Sequence, residues 1–133
     1  MGNILTTCVY CGCGCGLYLQ ERNGRITGAI PSRHHPISRG NLCVKGWHVH
    51  EFIHSNKRLT RPLIKKNGAL TPTSWDEALA YTARELGRIQ EETKSKGIGV
   101  LSSAKCTNEE NYLLQKFTRA VMQTNNIDHC ARL

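Results

Sequence analysis

Cys8-Val-Tyr-Cys11-Gly-Cys13-Gly-Cys15-Gly-Leu17-Tyr-Leu-Gln-Glu21-Arg-Asn23-Gly24-Arg25-Ile-Thr-Gly-Ala-Ile30 decides how the N-terminal half folds. Leu17–Glu21 alternates apolar and polar residues, and the run resumes at Arg25–Ile30 after Asn23-Gly24. Asn-Gly between two such runs marks a tight β-hairpin, because both residues tolerate positive φ. Ahead of the hairpin, Cys8, Cys11 and Cys15 stand as C-x2-C-x3-C, and Cys43 follows after 27 intervening residues. Four thiolates satisfy a [4Fe–4S] cube, one per iron, and soft sulfur donors suit iron–sulfur clusters or zinc. Three donors in one tight loop would hold one face of the cube. The hairpin, with the Pro31-, Pro36- and Gly40-containing loop over residues 31–42, would return the fourth. Gly12, Gly14 and Gly16 let the backbone wrap closely and aim N–H groups at sulfur.

Rival readings fit less well. Zinc sites favour paired C-x2-C knuckles, and only Cys8 and Cys11 make one. A bacterial ferredoxin run needs C-x2-C-x2-C and a Cys-Pro, and the chain has neither. Purely structural thiols would not explain four cysteines at this density. Cys13 could stand in for a neighbouring ligand but is expected to be a bystander.

Seven cysteines in 133 residues, an odd number, fit disulfide pairing poorly. Met1–Leu5 is too short for a signal peptide, and no stretch approaches the ~20 apolar residues of a membrane span. Reduced thiols serving a metal in the cytoplasm are the expectation. Gly2 and Thr6 meet the loose myristoylation pattern, but these residues lead straight into the cysteine loop and lipidation is not expected. Only 39% of residues are hydrophobic, which calls for a cofactor or a partner surface to complete the core. The net charge of +8 raises the question of a polyanion. The basic residues are dispersed apart from the run Lys57–Lys66, without the aromatic interleaving of a single-strand binder. A solvated basic loop is the plain reading of that run, a phosphate-bearing cofactor the sharper one, and nucleic acid comes third.

Near Arg61-Pro62 the character changes from Gly- and Cys-rich to regular α/β. The expected division is 1–60 and 61–133. His48–Ile53 reads as a short helix. After an Asn67-Gly68 turn, Ser74-Trp-Asp-Glu77 is a capping box, and Trp75, Ala78, Leu79, Thr82, Ala83, Leu86 and Ile89 repeat at a helical period. Lys94, Lys96 and Gly97 should end that helix. Ile98–Ser102 reads as a short buried strand. Thr107-Asn-Glu-Glu110 is a second capping box before the apolar face Leu113, Leu114, Phe117, Ala120 and Val121, and Ile127 opens another strand. Alternating helix and strand implies a parallel, Rossmann-like sheet, here incomplete. The fold class is thus α+β followed by α/β: a small β-rich [4Fe–4S] subdomain, then the start of a parallel α/β domain.

C-x2-C-x3-C-x27-C followed by Val44-Lys45-Gly46 resembles the N-terminal iron–sulfur segment of the molybdopterin oxidoreductases, the dimethyl sulfoxide reductase superfamily. The likeness continues through Arg58–Ile64, Ser74–Leu79, Thr107–Asn111, Gln115–Phe117 and Asn125–Leu133, and so covers essentially the whole chain. The close, His129-Cys130-Ala131-Arg132, is most similar to formate dehydrogenases. The resemblance implies that Cys8, Cys11, Cys15 and Cys43 ligate the cluster. It implies that Lys45 lies between the cluster and the pterin and relays electrons. It also implies a bis-molybdopterin guanine dinucleotide carrying molybdenum or tungsten in the complete protein, with formate and CO2 as substrate and product. The partners implied are the rest of the catalytic subunit and iron–sulfur electron-transfer subunits. In such enzymes the residue after this close is the selenocysteine or cysteine that ligates the metal. A UGA codon read as a stop would explain an end at Leu133, with a deliberate truncation or a split gene as alternatives. The 133-residue chain alone is expected to be inactive. A free-standing [4Fe–4S] electron carrier and a nitrate-reductase-type fragment are the alternative functions.

The loop Ser102–Cys106, between a strand and a capped helix, sits where open α/β sheets place phosphate ligands. Some formate dehydrogenases carry an arginine near the pterin here; this chain has Ala104-Lys105-Cys106, and Lys105 is the candidate contact. Cys106 and Cys130 are expected to be packing residues, and His34-His35 to lie in an exposed loop.

Overall fold

The computed structural model describes residues 2–130. Met1 and the Ala131-Arg132-Leu133 close of the resemblance lie outside them. Two compact units are formed: Met1–Arg58 with Leu101–Lys116 and Asp128–Leu133, and Leu59–Val100 with Phe117–Ile127.

In the first unit, strands β1 (Gly2–Thr7), β2 (Gly16–Arg22) and β3 (Arg25–Pro31) form an antiparallel sheet in the order β1-β2-β3. The hairpin turns where expected. Asn23 and Gly24 hold φ of 52° and 76°, the mirror-image turn whose twist matches the strands. Leu17 (0% exposed), Cys8, Ala29 and Val49 make the core, with Tyr10, Cys15, Leu19 and Leu42 packed around it. The strand β1 is an addition to the sequence reading.

The expected helix His48–Ile53 is displaced. Helix α1 spans Val44–Trp47, and the chain then runs through separate turns, with Glu51 N–H donating to the His48 carbonyl at 3.2 Å and Ile53 N–H to that of His50 at 3.3 Å. Two histidines, a valine and an aromatic are weak helix formers. His54 is also engaged elsewhere, its Nε2 accepting from the Ile26 N–H at 2.9 Å.

In the second unit, β4 (Leu63–Lys66) and β5 (Ala69–Pro72) form a hairpin around Asn67-Gly68. Helix α2 (Trp75–Thr93) begins at Ser74, whose hydroxyl accepts from the Glu77 N–H at 3.1 Å. Only half of the expected capping box forms. The Glu77 carboxylate is taken by Lys66 at 2.7 Å and by the Thr73 hydroxyl. The helix also stops before Gly97: Lys94 and Ser95 already adopt left-handed conformations, and both N–H groups donate to the Gln90 carbonyl. The periodic face of α2 is not buried, with Trp75 67% and Leu79 61% exposed.

Strand β6 (Val100–Ser103) pairs with β7 (Ile127–Cys130), and α3 (Asn108–Lys116) followed by a π-helical turn at Phe117–Val121 connects them. The second capping box is complete, Glu110 N–H donating to Thr107 Oγ1 at 3.2 Å and Thr107 N–H to the Glu110 carboxylate at 2.7 Å. The stretch expected to be buried is so only in part: Ile98 is buried and Val100 and Ser102 are half-buried, but Leu101 is 85% exposed, β6 having a single neighbouring strand among the described residues. A β-rich subdomain followed by an incomplete α/β region is the expected fold class. Among the described residues, no helix is long and apolar enough to cross a membrane.

Candidate metal centre

Thr7 pairs with Gly16, so residues 8–15 are the connection between β1 and β2. Sheet pairing thus fixes both ends of the cysteine loop. The neck is closed by Cys8 N–H donating to the Cys15 carbonyl at 2.8 Å, and Gly14 N–H donates to that of Cys11 at 3.3 Å. Gly14, at φ 60°, makes the turn an ordinary side chain would strain. Cys8 points into the core, Cys11 and Cys15 are half-buried, and Cys13 is exposed. The Sγ atoms of Cys13 and Cys15 lie 3.6 Å apart.

Cys43 returns to this loop along a segment folded onto Gly16. Beyond β3, Ser32 N–H donates to the Gly16 carbonyl and Gly40 N–H to that of Ser32, each at 3.0 Å. Gly16 N–H donates to the buried Ser38 hydroxyl at 3.3 Å, and His35 Nδ1 accepts from Ser38 N–H at the same distance. A Cβ at Gly16 would stand 2.4 Å from His35 Cδ2, so this close approach requires glycine. His35 is therefore half-buried in the seam, unlike His34, which is exposed as expected. Cys43 opens α1, its carbonyl accepting from Trp47 N–H at 3.2 Å.

The cysteines act on one another. Burial pushes the Cys8 thiol up; a backbone contact at Tyr10 opposes it, while Cys11, Cys43 and Cys13 add to the rise. Burial likewise raises Cys15, to about 11, with the Cys13 hydrogen bond next and the Cys13, Cys8 and Cys11 charges following. Thiols that resist ionisation beside one another gain from a cation, since a metal-bound thiol is held deprotonated. Among the described residues, no three His, Cys, Asp or Glu side chains converge closely enough to hold a metal ion as they stand. The fit to an iron–sulfur cluster rests on the chemistry of the donors: soft thiols, three of them in one short glycine-spaced loop, and no disulfide among the seven cysteines.

Lys45, in α1, is half-buried in a cleft of about 450 Å3 that Tyr10, His48, Glu51 and Phe52 also line. Tyr10 meets Phe52 edge-on at 6.4 Å, and His48 Nδ1 pairs with Glu51 at 2.6 Å. Lys105 does not line that cleft. It is exposed after β6, its N–H donating to Ser103 Oγ at 3.0 Å. Cys130, expected to pack, is instead exposed; the Ser103 hydroxyl, the Ala104 backbone and the Lys105 charge pull its thiol down. Cys106 is half-buried.

Sequence reasoning missed Ser38, His35 and Asn108. The Asn108 side chain donates to the Gly12 carbonyl at 2.9 Å across 96 positions, bracing the cysteine loop from the start of α3. No local pattern signals such a pairing.

Comparison with known proteins bears on the same segments. The family model described as the molybdopterin oxidoreductase Fe4S4 domain matches residues 3–55, and that described as molybdopterin oxidoreductase matches residues 58–133. The chain is similar to the F420-dependent formate dehydrogenase subunit alpha of Methanocaldococcus jannaschii, 52% identical over 128 residues, 96% of this chain and 18% of that protein. It is also similar to F420-dependent formate dehydrogenase 1 subunit alpha of Methanococcus maripaludis, 49% identical over 98% of this chain and 19% of that protein. The formate dehydrogenase 2 subunit alpha of the same organism is 46% identical over 96% of this chain and 18% of its own length. The chain spans less than a fifth of the length of each of these relatives.

Proposed function

The chain belongs to the molybdopterin oxidoreductases, and on that premise we propose that it is the cluster-bearing N-terminal segment of a formate dehydrogenase catalytic subunit, residues 1–60 holding a [4Fe–4S] cluster and residues 61–133 beginning the pterin-binding domain. The observation that carries this reading is the cysteine loop itself: strand pairing at both ends and the bond from Cys8 N–H to the Cys15 carbonyl at 2.8 Å hold Cys8, Cys11 and Cys15 in one short β1–β2 connection. When bound, the cluster supplies one-electron storage between the pterin-held molybdenum or tungsten, where formate becomes CO2, and the electron-transfer subunits.

In this reading Cys8, Cys11, Cys15 and Cys43 are the ligands. The first three lie in the β1–β2 connection, and the segment that bonds to Gly16 through Ser32 and Ser38 leads on to the fourth. Lys45, two residues past Cys43, contributes a fixed cation beside a centre that gains negative charge on reduction, and its ammonium donates hydrogen bonds toward the pterin. Lys105 is the second pterin contact. The cysteines stay reduced in a cytoplasmic setting. The partners are iron–sulfur subunits, not nucleic acid, and the similarity to F420-dependent formate dehydrogenases makes F420 the first acceptor to test.

The test is anaerobic reconstitution of the full-length protein. Iron and acid-labile sulfide should be taken up, and formate should reduce a dye acceptor. Lys45→Ala should abolish that reduction while leaving the iron content and cluster absorption in place. Absence of iron and sulfide after reconstitution would reject the reading; full turnover in Lys45→Ala would remove the role given to that lysine.

A further inference from the structure

The proposed ligand set leaves one thiol of the loop unused. Cys13 is exposed, and its Sγ lies 3.6 Å from the Sγ of Cys15. Gly14, turned to φ 60° between them, bends the chain so that both sulfurs meet on one side of the loop. Two sulfurs in contact offer one donor position rather than two, since a pair of thiolates that close would repel. They are alternatives for a single corner.

We propose that Cys13 and Cys15 are interchangeable ligands, either sulfur being able to hold the same iron of the cluster. The inference rests on the cluster reading above. No redox chemistry is involved: whichever of Cys13 and Cys15 held the iron would do so as the thiolate, and the other would keep its proton. The backbone allows either arrangement. The neck of the loop is held by the Cys15 carbonyl, not by its side chain, so losing the Cys15 sulfur leaves the loop closed. Cys8 has no such substitute, since its side chain sits in the core among Leu17, Ala29 and Val49.

The experiment measures iron, acid-labile sulfide and the electron paramagnetic resonance signal after reduction, in full-length protein reconstituted anaerobically. Cys13→Ala and Cys15→Ala should each keep a full complement of iron, while the double variant and Cys8→Ala lose the cluster. The reduced signal of Cys15→Ala should be shifted from that of the parent, and that of Cys13→Ala unshifted. Cys15→Ser, alone and with Cys13→Ala, repeats the comparison should alanine upset folding. A Cys15 variant as empty as Cys8→Ala, an empty Cys13→Ala, or a double variant as full as Cys15→Ala would each overturn the proposal. Parent protein that takes up no iron would instead overturn the cluster reading, and this inference with it.

Discussion

The hairpin β2–β3 and the helix α2 are both written plainly in local sequence, yet only one of them buries what its pattern promises. Leu17 at the start of β2 is fully enclosed, and Cys8, Ala29 and Val49 close around it. On α2, a regular 3.6-residue repeat leaves no residue buried. A sheet folded back on itself supplies its own cover, because neighbouring strands and the loop after them come from adjacent sequence. A lone amphipathic helix states which face is apolar without supplying the surface that receives it. Periodicity is thus evidence of a need for a partner, and burial has to be established separately.

The largest effect expected from this contrast is at Leu17. Leu17→Ala should cost ~2–5 kcal/mol, the range for emptying an enclosed leucine site. Hydrogen exchange should show lost protection in β1–β3 and little change in α2. The matched substitution Leu79→Ala, on an exposed position of α2, should stay within about 0.5 kcal/mol. Equal costs at the two sites would break the contrast.

Gly16 tests the seam that leads on to Cys43. Gly16→Ala puts a methyl group against the His35 ring at a spacing the ring cannot accept, and overpacking of this kind costs about 1–3 kcal/mol. Iron uptake should fall with it, because the loop carrying Cys43 must shift. His35→Ala added to Gly16→Ala should recover part of both losses by removing the obstruction. Failure to recover would mean that the His35–Gly16 contact does not govern the position of the loop.

Much of this was legible in the sequence, and what was not has a common cause. Asn23-Gly24 declares its turn within two residues, and Ser74 and Thr107 declare the helix starts within four. The cysteine spacing announces soft-metal chemistry because the donors themselves are in the pattern. The seam among Gly16, His35 and Ser38 and the Asn108–Gly12 bond join positions far apart in sequence. Each of those residues, taken alone, looks like an ordinary loop or surface residue. Strand β1 was hidden for a different reason: Ile4 and Leu5 are adjacent and both exposed, so no alternation marks it. The capping box at Ser74 was half right because Glu77 had a better offer from Lys66 and Thr73 than from the Ser74 backbone.

That half-formed box gives a further prediction of moderate size. Ser74→Ala removes the hydroxyl that accepts from the Glu77 N–H and should destabilise α2 by about 1 kcal/mol. The loss should appear in the exchange of the first-turn amides of α2, with β1–β3 unaffected. A substitution without effect there would mean that the Ser74 hydroxyl does not cap α2.

The smallest effect concerns pH and the link from β4 to the start of α2. Lys66, donating to Glu77, and then the Thr73 hydroxyl hold this carboxyl below its ordinary 4.5. A carboxyl depressed in the folded chain releases its proton more readily there than in the unfolded chain. Its contribution to stability is therefore present above about pH 4.5 and is lost as pH falls through the lower, folded-state value. Both partners are exposed, so salt should weaken the effect. Glu77→Gln should flatten the acid limb of the thermal-unfolding profile of the second unit, and Lys66→Met should flatten it in the same direction. An unchanged acid limb in both variants would mean that the Lys66–Glu77 pair does not couple the hairpin to the helix, leaving Ser74 as the cap that matters.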